Sequence, residues 1–311
     1  MRPSKSPVNW RIPFDGRNLF AVDKIVMPRD LVAASERYGR AEWMAALPSL
    51  VREVASDWSL ELDEPFQPGG DTAWVAPVRG VSGEALVLKV AWRHPEAEHE
   101  AAELKLWDGH AAVCLHASKE LSDTLALLVE ICIPGTALRT RPEPEQDAVI
   151  AGLLKRLWIE PSGEHRFPTL QLMCEQWADC FDNEVIVETI GLDPGLVRAG
   201  IALLRELPTS AASSVLLCTD LHAGNVLAAE REPWLAIDPK PYLGDPTYDA
   251  LQHMLNCEAR LCSDPHGLVR RMANLLDLDV RRLSQWLFAR CVQQAPEWPF
   301  LGEVAREMAP S

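Results

Sequence analysis

Two short apolar runs, each leading into an acidic residue, lie close together in the second half of the chain. The first run, residues 215–218, leads into Asp220, and Asn225 follows five positions later. The second run, residues 234–237, leads directly into Asp238. Because turn-forming residues bound both runs, the pattern predicts two short strands of one hairpin. We therefore expect two carboxylates and one amide close together at the strand ends.

These three side chains are suited to phosphoryl transfer from a nucleotide. That reaction needs an acidic group that orients and deprotonates the attacking hydroxyl, and oxygen ligands that hold Mg²⁺ against the phosphates. Mg²⁺ keeps several waters, so a few protein oxygens suffice. We therefore predict Asp220 as the catalytic base, with Asn225 and Asp238 as metal ligands. An aspartate and an asparagine at this spacing are by themselves more typical of an ordinary loop, and it is the second run ending in Asp238 that favours catalysis.

The same stretch resembles the catalytic and metal-binding loops of the aminoglycoside phosphotransferases, which are relatives of the protein kinases. Within that family, the segments D-L-H-A-G-N-V-L, W-L-A-I-D-P-K and G-D-P-T-Y-D resemble the streptomycin 6-kinase (aminoglycoside/hydroxyurea kinase) branch. Cys218 and Thr219 stand where most of that family has His and Gly, a change that concerns loop geometry more than chemistry. The resemblance implies a two-lobed, protein-kinase-like α+β fold, with a β-rich N-terminal lobe and a mainly helical C-terminal lobe.

Charge and cysteine usage narrow the class of protein. The 45 acidic and 30 basic residues give a net charge of −15, which disfavours nucleic acid and anionic membranes and weakly favours a cationic small molecule as partner. The 8 cysteines form no C-x-x-C pair, as expected of reduced thiols in a cytoplasmic protein without a zinc site. We find no apolar segment that predicts a signal peptide or a membrane span. The expectation is a cytoplasmic, monomeric enzyme.

The periodicity of apolar residues predicts three regions along the chain. Helical spacing over residues 28–58, with Pro48 near a break, predicts two helices. Strand-like segments follow at residues 60–65, 74–78, 85–90 and 124–133, and later helical spacing occurs mainly around residues 149–158, 170–187, 194–207, 246–256, 268–278 and 280–294. Together with the resemblance, this pattern implies an N-terminal helical extension over 1–58, a small nucleotide-binding lobe over 59–133, and a helical lobe with the catalytic loop and acceptor site over 134–311.

One lysine, Lys89, interrupts an otherwise apolar strand. A buried ammonium is costly unless it reaches a partner. Kinases pair such a lysine with the nucleotide phosphates and with a glutamate of the following helix. Glu100 is the favoured partner here, and Glu103 remains an alternative because residues three apart are neighbours on a helix.

Two further segments are predicted to contact the nucleotide. Gly69 and Gly70 form a pair whose backbone N–H groups can approach a phosphate closely. The strand over residues 124–133 ends in a Pro-Gly turn, and the resemblance implies that backbone groups near Glu130 and Cys132 meet the adenine edge. ATP and Mg²⁺ are the expected cofactors.

The remaining polar residues of this region receive less specific predictions. His222 is expected to fix the loop by hydrogen bonds, and Asp245 to cap a helix. Lys240 is expected to reach either a phosphate oxygen or a surface acid. The acceptor site is the least determined part, since Glu175, Asp179 and Asp182 lie at helical spacing but such a face is usually just solvated.

These predictions together describe an ATP-dependent phosphotransferase that modifies a hydroxyl of an aminoglycoside, with streptomycin as the expected acceptor. Two alternatives remain. One is a kinase of another small hydroxyl-bearing molecule, such as hydroxyurea or an amino sugar. The other is a pseudokinase that binds nucleotide or drug without turnover.

Overall fold

The computed structural model describes residues 25–160, 167–181 and 191–310. The chain divides into two compact units. The first comprises Met1–Ala137 with Leu227–Ile237, and the second comprises Leu138–Val226 with Asp238–Ser311. The first contains a five-stranded sheet and the second is mainly helical, so the predicted α+β kinase-like fold class is confirmed. The boundaries predicted at residues 58 and 133 stay predictions.

The first unit is built on one antiparallel sheet. Its helices and sheet strands are α1 (Arg29–Arg37), α2 (Ala41–Asp57), β1 (Glu61–Leu62), β2 (Ala73–Arg79), β3 (Ala85–Trp92), α3 (Glu100–Trp107), β4 (Leu115–Glu120) and β5 (Thr124–Glu130). The strand order is β1-β2-β3-β5-β4, which makes β3 the central strand. β4 was not predicted, because its side chains are only partly buried or exposed and it carries little apolar signal.

Helix α2 packs its apolar face on this sheet. Trp43, Leu47, Val51 and Val54 recur at helical spacing and are buried with residues of β2, β3 and β5 in one core. The Trp43 indole donates to the Thr124 hydroxyl at 2.9 Å. The segment predicted as a helical extension therefore shares the core of the sheet.

The two helices predicted before the sheet are present, but the predicted break at Pro48 is wrong. Pro48 lies inside α2, where it costs one backbone hydrogen bond to an otherwise continuous buried face. The chain turns instead at Gly39, which follows α1 with a positive φ of 65°. A left-handed glycine is a common way to end a helix.

The second unit is formed by helices and one short strand pair. Its helices are α4 (Glu143–Leu157), α5 (Leu170–Phe181), α6 (Pro194–Glu206), α7 (Pro246–Asp249), α8 (Leu251–Leu255), α9 (Glu258–Ser263), α10 (Pro265–Leu276), α11 (Val280–Gln294) and α12 (Phe300–Glu307). The strand pair consists of β6 (Val215–Leu217) and β9 (Tyr242–Gly244). A second pair along the catalytic stretch, β7 (Val226–Ala228) with β8 (Trp234–Ala236), lies almost entirely in the first unit. The predicted helix over residues 170–187 extends in part beyond the described residues.

A buried carboxylate joins four helices of the second unit. Asp147 of α4 accepts from His253 at 2.9 Å and from Arg260 at 2.9 and 3.0 Å, and also accepts from Arg271. Burial alone would raise the pKa of Asp147, but these hydrogen bonds outweigh it and hold the pKa far below its usual range. Cys257 lies next to His253, yet two guanidinium groups already occupy the carboxylate. They would repel a metal ion, so we assign this cluster to packing.

Candidate active site

The two apolar runs of the catalytic stretch are strands, but they do not pair with each other as predicted. β6 pairs antiparallel with β9, and β8 pairs with β7. Strands of three residues carry little register information, so their partners could not be chosen from pattern alone. The predicted single hairpin is therefore replaced by two strand pairs.

The three predicted site residues nevertheless lie close together in the second unit. Beyond β6 and β9, the Lys240 N–H donates to the Cys218 carbonyl at 3.1 Å, which continues the pairing up to Asp220. Asn225 and Asp238 flank the β7–β8 hairpin, whose two ends must be neighbours. The Asn225 side-chain amide donates to the Asp220 carbonyl at 3.1 Å. The catalytic and metal-binding roles of these residues stay predictions.

The donor atoms at this point fit a hard cation. Because the Asn225 amide nitrogen is engaged by Asp220, its carbonyl oxygen is the atom left for a metal. Asp238 has a positive φ of 55°, a conformation that non-glycine residues adopt at a cost and often at functional sites. One amide oxygen and one carboxylate, together with waters and phosphate oxygens, are an ordinary ligand set for Mg²⁺.

The backbone of the catalytic loop is held by a residue that the sequence did not single out for this task. Asp249 is fully buried and accepts from the backbone N–H groups of Cys218 at 3.0 Å and Thr219 at 2.7 Å. It also accepts from the Trp158 indole at 3.0 Å. Burial raises the pKa of Asp249 to about 6, although the three N–H groups act in the opposite direction. This carboxylate fixes the turn just before Asp220.

Two neighbouring predictions on loop residues agree with the structure. The side chain of Asp245 accepts from the Thr247 N–H at 2.9 Å and so caps α7. His222 accepts from the Gly224 N–H at 3.0 Å through Nδ1, as expected of a residue that shapes the loop.

The Asp220 carboxylate is contacted at both oxygens. Gln252 donates its side-chain amide to Oδ1 at 2.8 Å, and the Lys240 ammonium lies 3.0 Å from Oδ2. Of the two options predicted for Lys240, the structure shows a pairing with an acid, and that acid is the candidate base. Gln252 was missed, because a lone glutamine in a helix gives no sequence signal.

In the first unit, the structure pairs Lys89 with Glu100. The Lys89 ammonium lies 2.8 and 2.6 Å from the two carboxylate oxygens, and both side chains are largely buried. Lys89 stands on the central strand β3 and Glu100 begins α3. Of the two predicted partners of Lys89, Glu100 and Glu103, the structure shows Glu100. The contact of Lys89 with nucleotide phosphates stays a prediction.

The glycine pair lies in the connection between β1 and β2, and its two members have different surroundings. Gly69 has a φ of 92°, and a Cβ there would meet the Pro28 ring at 2.4 Å. The Pro68 carbonyl accepts from the Asp30 N–H at 3.0 Å, which also fastens this loop to the start of α1. Gly70 is exposed, and a Cβ would meet nothing within 4 Å. The approach of either glycine to a phosphate stays a prediction.

We expect Gly69→Ala to destabilise the protein by about 2 kcal/mol or more, because alanine disfavours a positive φ and its methyl group would displace Pro28. Gly70→Ala is the matched control and should change stability by less than about 0.5 kcal/mol. Thermal unfolding of the two variants measures both effects. Equal melting temperatures for the two would contradict the packing role of Gly69.

The strand end predicted to meet adenine is held by a different contact. The Glu130 carboxylate accepts from Arg231 at 2.8 and 2.9 Å and from the Cys114 N–H at 3.0 Å. The Glu130 N–H donates to the Cys114 carbonyl, so both of these Glu130 groups have hydrogen-bond partners within the protein. Cys132 is buried, and burial raises the pKa of its thiol to about 12. Nucleotide contacts of Glu130 and Cys132 stay predictions.

The candidate acceptor residues make ordinary surface contacts. Asp179 is well exposed and pairs with Arg205 at 3.3 Å, and Glu175 accepts from Gln171 at 2.7 Å. Such contacts are typical of a solvated helix face. Asp182 lies outside the described residues.

Comparison with known proteins identifies the family. The sequence profile of the aminoglycoside/hydroxyurea antibiotic resistance kinases matches residues 58–300. The chain belongs to this family. It is 32% identical over 287 residues to a streptomycin 6-kinase of Streptomyces griseus, an alignment that covers 87% of this chain and 90% of the relative. It is 33% identical over 299 residues to a hydroxyurea phosphotransferase of Kitasatospora aureofaciens, covering 92% of this chain and 84% of the relative.

Solved structures support the same fold. An aminoglycoside-3'-phosphotransferase of type VIII superposes with a TM-score of 0.51 at 20% identity, covering 79% of this kinase and 97% of the other chain. Among the described residues, no helix of this kinase is long and apolar enough to cross a membrane.

Proposed function

We propose that this kinase transfers the γ-phosphoryl group of ATP to a hydroxyl of streptomycin, which would inactivate the antibiotic. The observation that carries the proposal is the grouping of Asp220, Asn225 and Asp238 in one loop region of a member of this kinase family. Two relatives named streptomycin 6-kinase, each 32% identical over 287 residues, favour streptomycin as acceptor. The net charge of −15 also favours a cationic acceptor over a neutral one.

In this mechanism, Asp220 orients the acceptor hydroxyl and accepts its proton as the oxygen forms a bond to the γ-phosphorus. The bond from that phosphorus to the β–γ bridging oxygen breaks, and ADP leaves. Asn225 and Asp238 would hold Mg²⁺, and the bound ion would neutralise charge on the phosphate oxygens. Lys89, supported by Glu100, contacts the α- and β-phosphates. Alignment and charge neutralisation supply most of the rate gain.

The hydroxyurea phosphotransferase relative is as similar as the streptomycin kinases, which makes hydroxyurea the second candidate acceptor. Purified protein with ATP and Mg²⁺ should be offered streptomycin, other aminoglycosides, hydroxyurea and amino sugars, and the products identified by mass. We expect one added phosphoryl group on streptomycin. If only hydroxyurea is phosphorylated, hydroxyurea and not streptomycin is the acceptor. If the protein binds these ligands without releasing ADP, it is not a kinase in function.

A further inference from the structure

The Asp220 carboxylate is held by two partners from two different segments of the second unit. Gln252, which lies in α8, donates its side-chain amide to Oδ1 at 2.8 Å. Lys240, which lies in the loop after β8, has its ammonium 3.0 Å from Oδ2. Only a small part of the Asp220 side chain is exposed, about half as much as that of Lys240. The two donors therefore act on a carboxylate that has little freedom left.

The support of Gln252 is rigid. Helix α8 spans Leu251–Leu255, and all of its residues other than Gln252 are buried. One of these, His253, bonds to the buried carboxylate of Asp147 at 2.9 Å. Because the other four residues of α8 are packed in the protein interior, the helix cannot move easily, and the Gln252 amide is held in place with it.

Lys240 is held through its backbone. Its N–H donates to the Cys218 carbonyl at 3.1 Å, and its own carbonyl accepts from the Thr219 hydroxyl at 2.6 Å. These are the two residues immediately before Asp220. The lysine is thus tied to the loop whose carboxylate it contacts, and the ammonium does not depend on a flexible surface segment.

Two donors on different oxygens prevent the carboxylate from rotating about its terminal bond. Each oxygen keeps a second lone pair, so one remains available for the acceptor hydroxyl. The ammonium of Lys240 also offsets the repulsion between the Asp220 charge and a negatively charged phosphoryl group close by. A catalytic base that is already correctly oriented does not have to rotate before it accepts the proton, which favours the reaction.

We propose that Gln252 and Lys240 are positioning residues that hold the Asp220 carboxylate in the orientation used for phosphoryl transfer. This inference rests on the proposed function, in which Asp220 is the base. It predicts effects on kcat rather than on substrate binding, since neither residue is assigned a contact with ATP or with the acceptor.

The first test is steady-state kinetics of Gln252→Leu, Gln252→Glu and Lys240→Met with ATP, Mg²⁺ and streptomycin. Gln252→Glu keeps the size of the side chain but replaces the donor with a second carboxylate, whereas Gln252→Leu removes the donor without adding a charge. We expect each variant to lower kcat by about 10- to 100-fold with either KM changed less than about threefold. Lys240→Arg, which keeps the cation, should retain more activity than Lys240→Met.

Two controls remove similar contacts elsewhere. Gln171→Leu removes an amide-to-carboxylate bond to Glu175, and Lys155→Met removes an ion pair with Asp277. Both should keep the kcat of the wild type. Unchanged kcat in Gln252→Glu and Lys240→Met, with normal melting temperatures, would overturn the proposal.

The second test places Gln252→Glu and Lys240→Met in an Asp220→Asn background. Residues that act through Asp220 should cause little further loss once its charge is gone, whereas a general structural role would lower the residual rate again. A further loss of tenfold or more would reject positioning. If the wild-type protein transfers no phosphoryl group to any acceptor, the proposed function fails. If the wild type is active and the Gln252 and Lys240 variants are equally active, only the positioning proposal fails.

Discussion

Asp220→Asn is expected to lower kcat by about 10³-fold, within the range found when a general base is removed. Asparagine has the size of aspartate but cannot take up the hydroxyl proton. It keeps one side-chain oxygen, so the Gln252 amide retains an acceptor. Steady-state assays of ADP release and of acceptor phosphorylation measure the loss, and nucleotide affinity should change little.

The matched control for this variant is Asp277→Asn, which neutralises an exposed carboxylate at the end of α10. It should keep the wild-type kcat. Circular dichroism and melting temperature should be the same for both variants and the wild type. Turnover by Asp220→Asn within a few-fold of the wild-type rate would remove Asp220 from the catalytic role.

Asp249→Ala is expected to destabilise the protein by about 3–5 kcal/mol and to reduce activity as well. The change leaves three donors without an acceptor: the buried N–H group of Cys218, and the partly buried Thr219 N–H group and Trp158 indole. Each such donor costs about 1–3 kcal/mol. Chemical unfolding gives the loss of free energy, and assays well below the melting temperature show whether the remaining folded protein is impaired.

The pH dependence of stability tests the same carboxylate. The folded pKa of Asp249, about 6, is higher than the ordinary aspartate value of 3.8, mainly because of burial. Its contribution to stability is therefore fully present below the ordinary value and is lost as the pH rises through the folded value. The melting temperature of the wild type minus that of Asp249→Asn should fall as the pH rises from about 4 to about 6.5. A difference that grows over this range would contradict the raised pKa.

Several features of this kinase could be predicted from local patterns. Lys89 in an apolar strand required a partner, and a helix rich in glutamate follows at the right distance. The helix face of α2 and the strands β2, β3 and β5 were recognisable from the spacing of their apolar residues. Asp220, Asn225 and Asp238 were recognisable because their chemical types and spacing fit one reaction.

Other features depend on contacts that are distant in sequence. The three-residue strands β6 and β8 could not reveal their partners, since β7 and β9 are equally short. Helical spacing alone could not separate Glu100 from Glu103. Asp249 has the pattern of a helix-start residue, and only the folded chain shows that it binds the loop before Asp220. Gln252 carries no pattern at all.

Asp249 at the end of α7 and Gln252 in α8 are separated by only three residue steps. The first side chain binds the loop backbone before Asp220 and the second binds the Asp220 side chain. Adding or deleting a single residue between them would change the direction of one side chain relative to the other. A kinase of this design can therefore change side chains around its acceptor more freely than it can change the length of this segment.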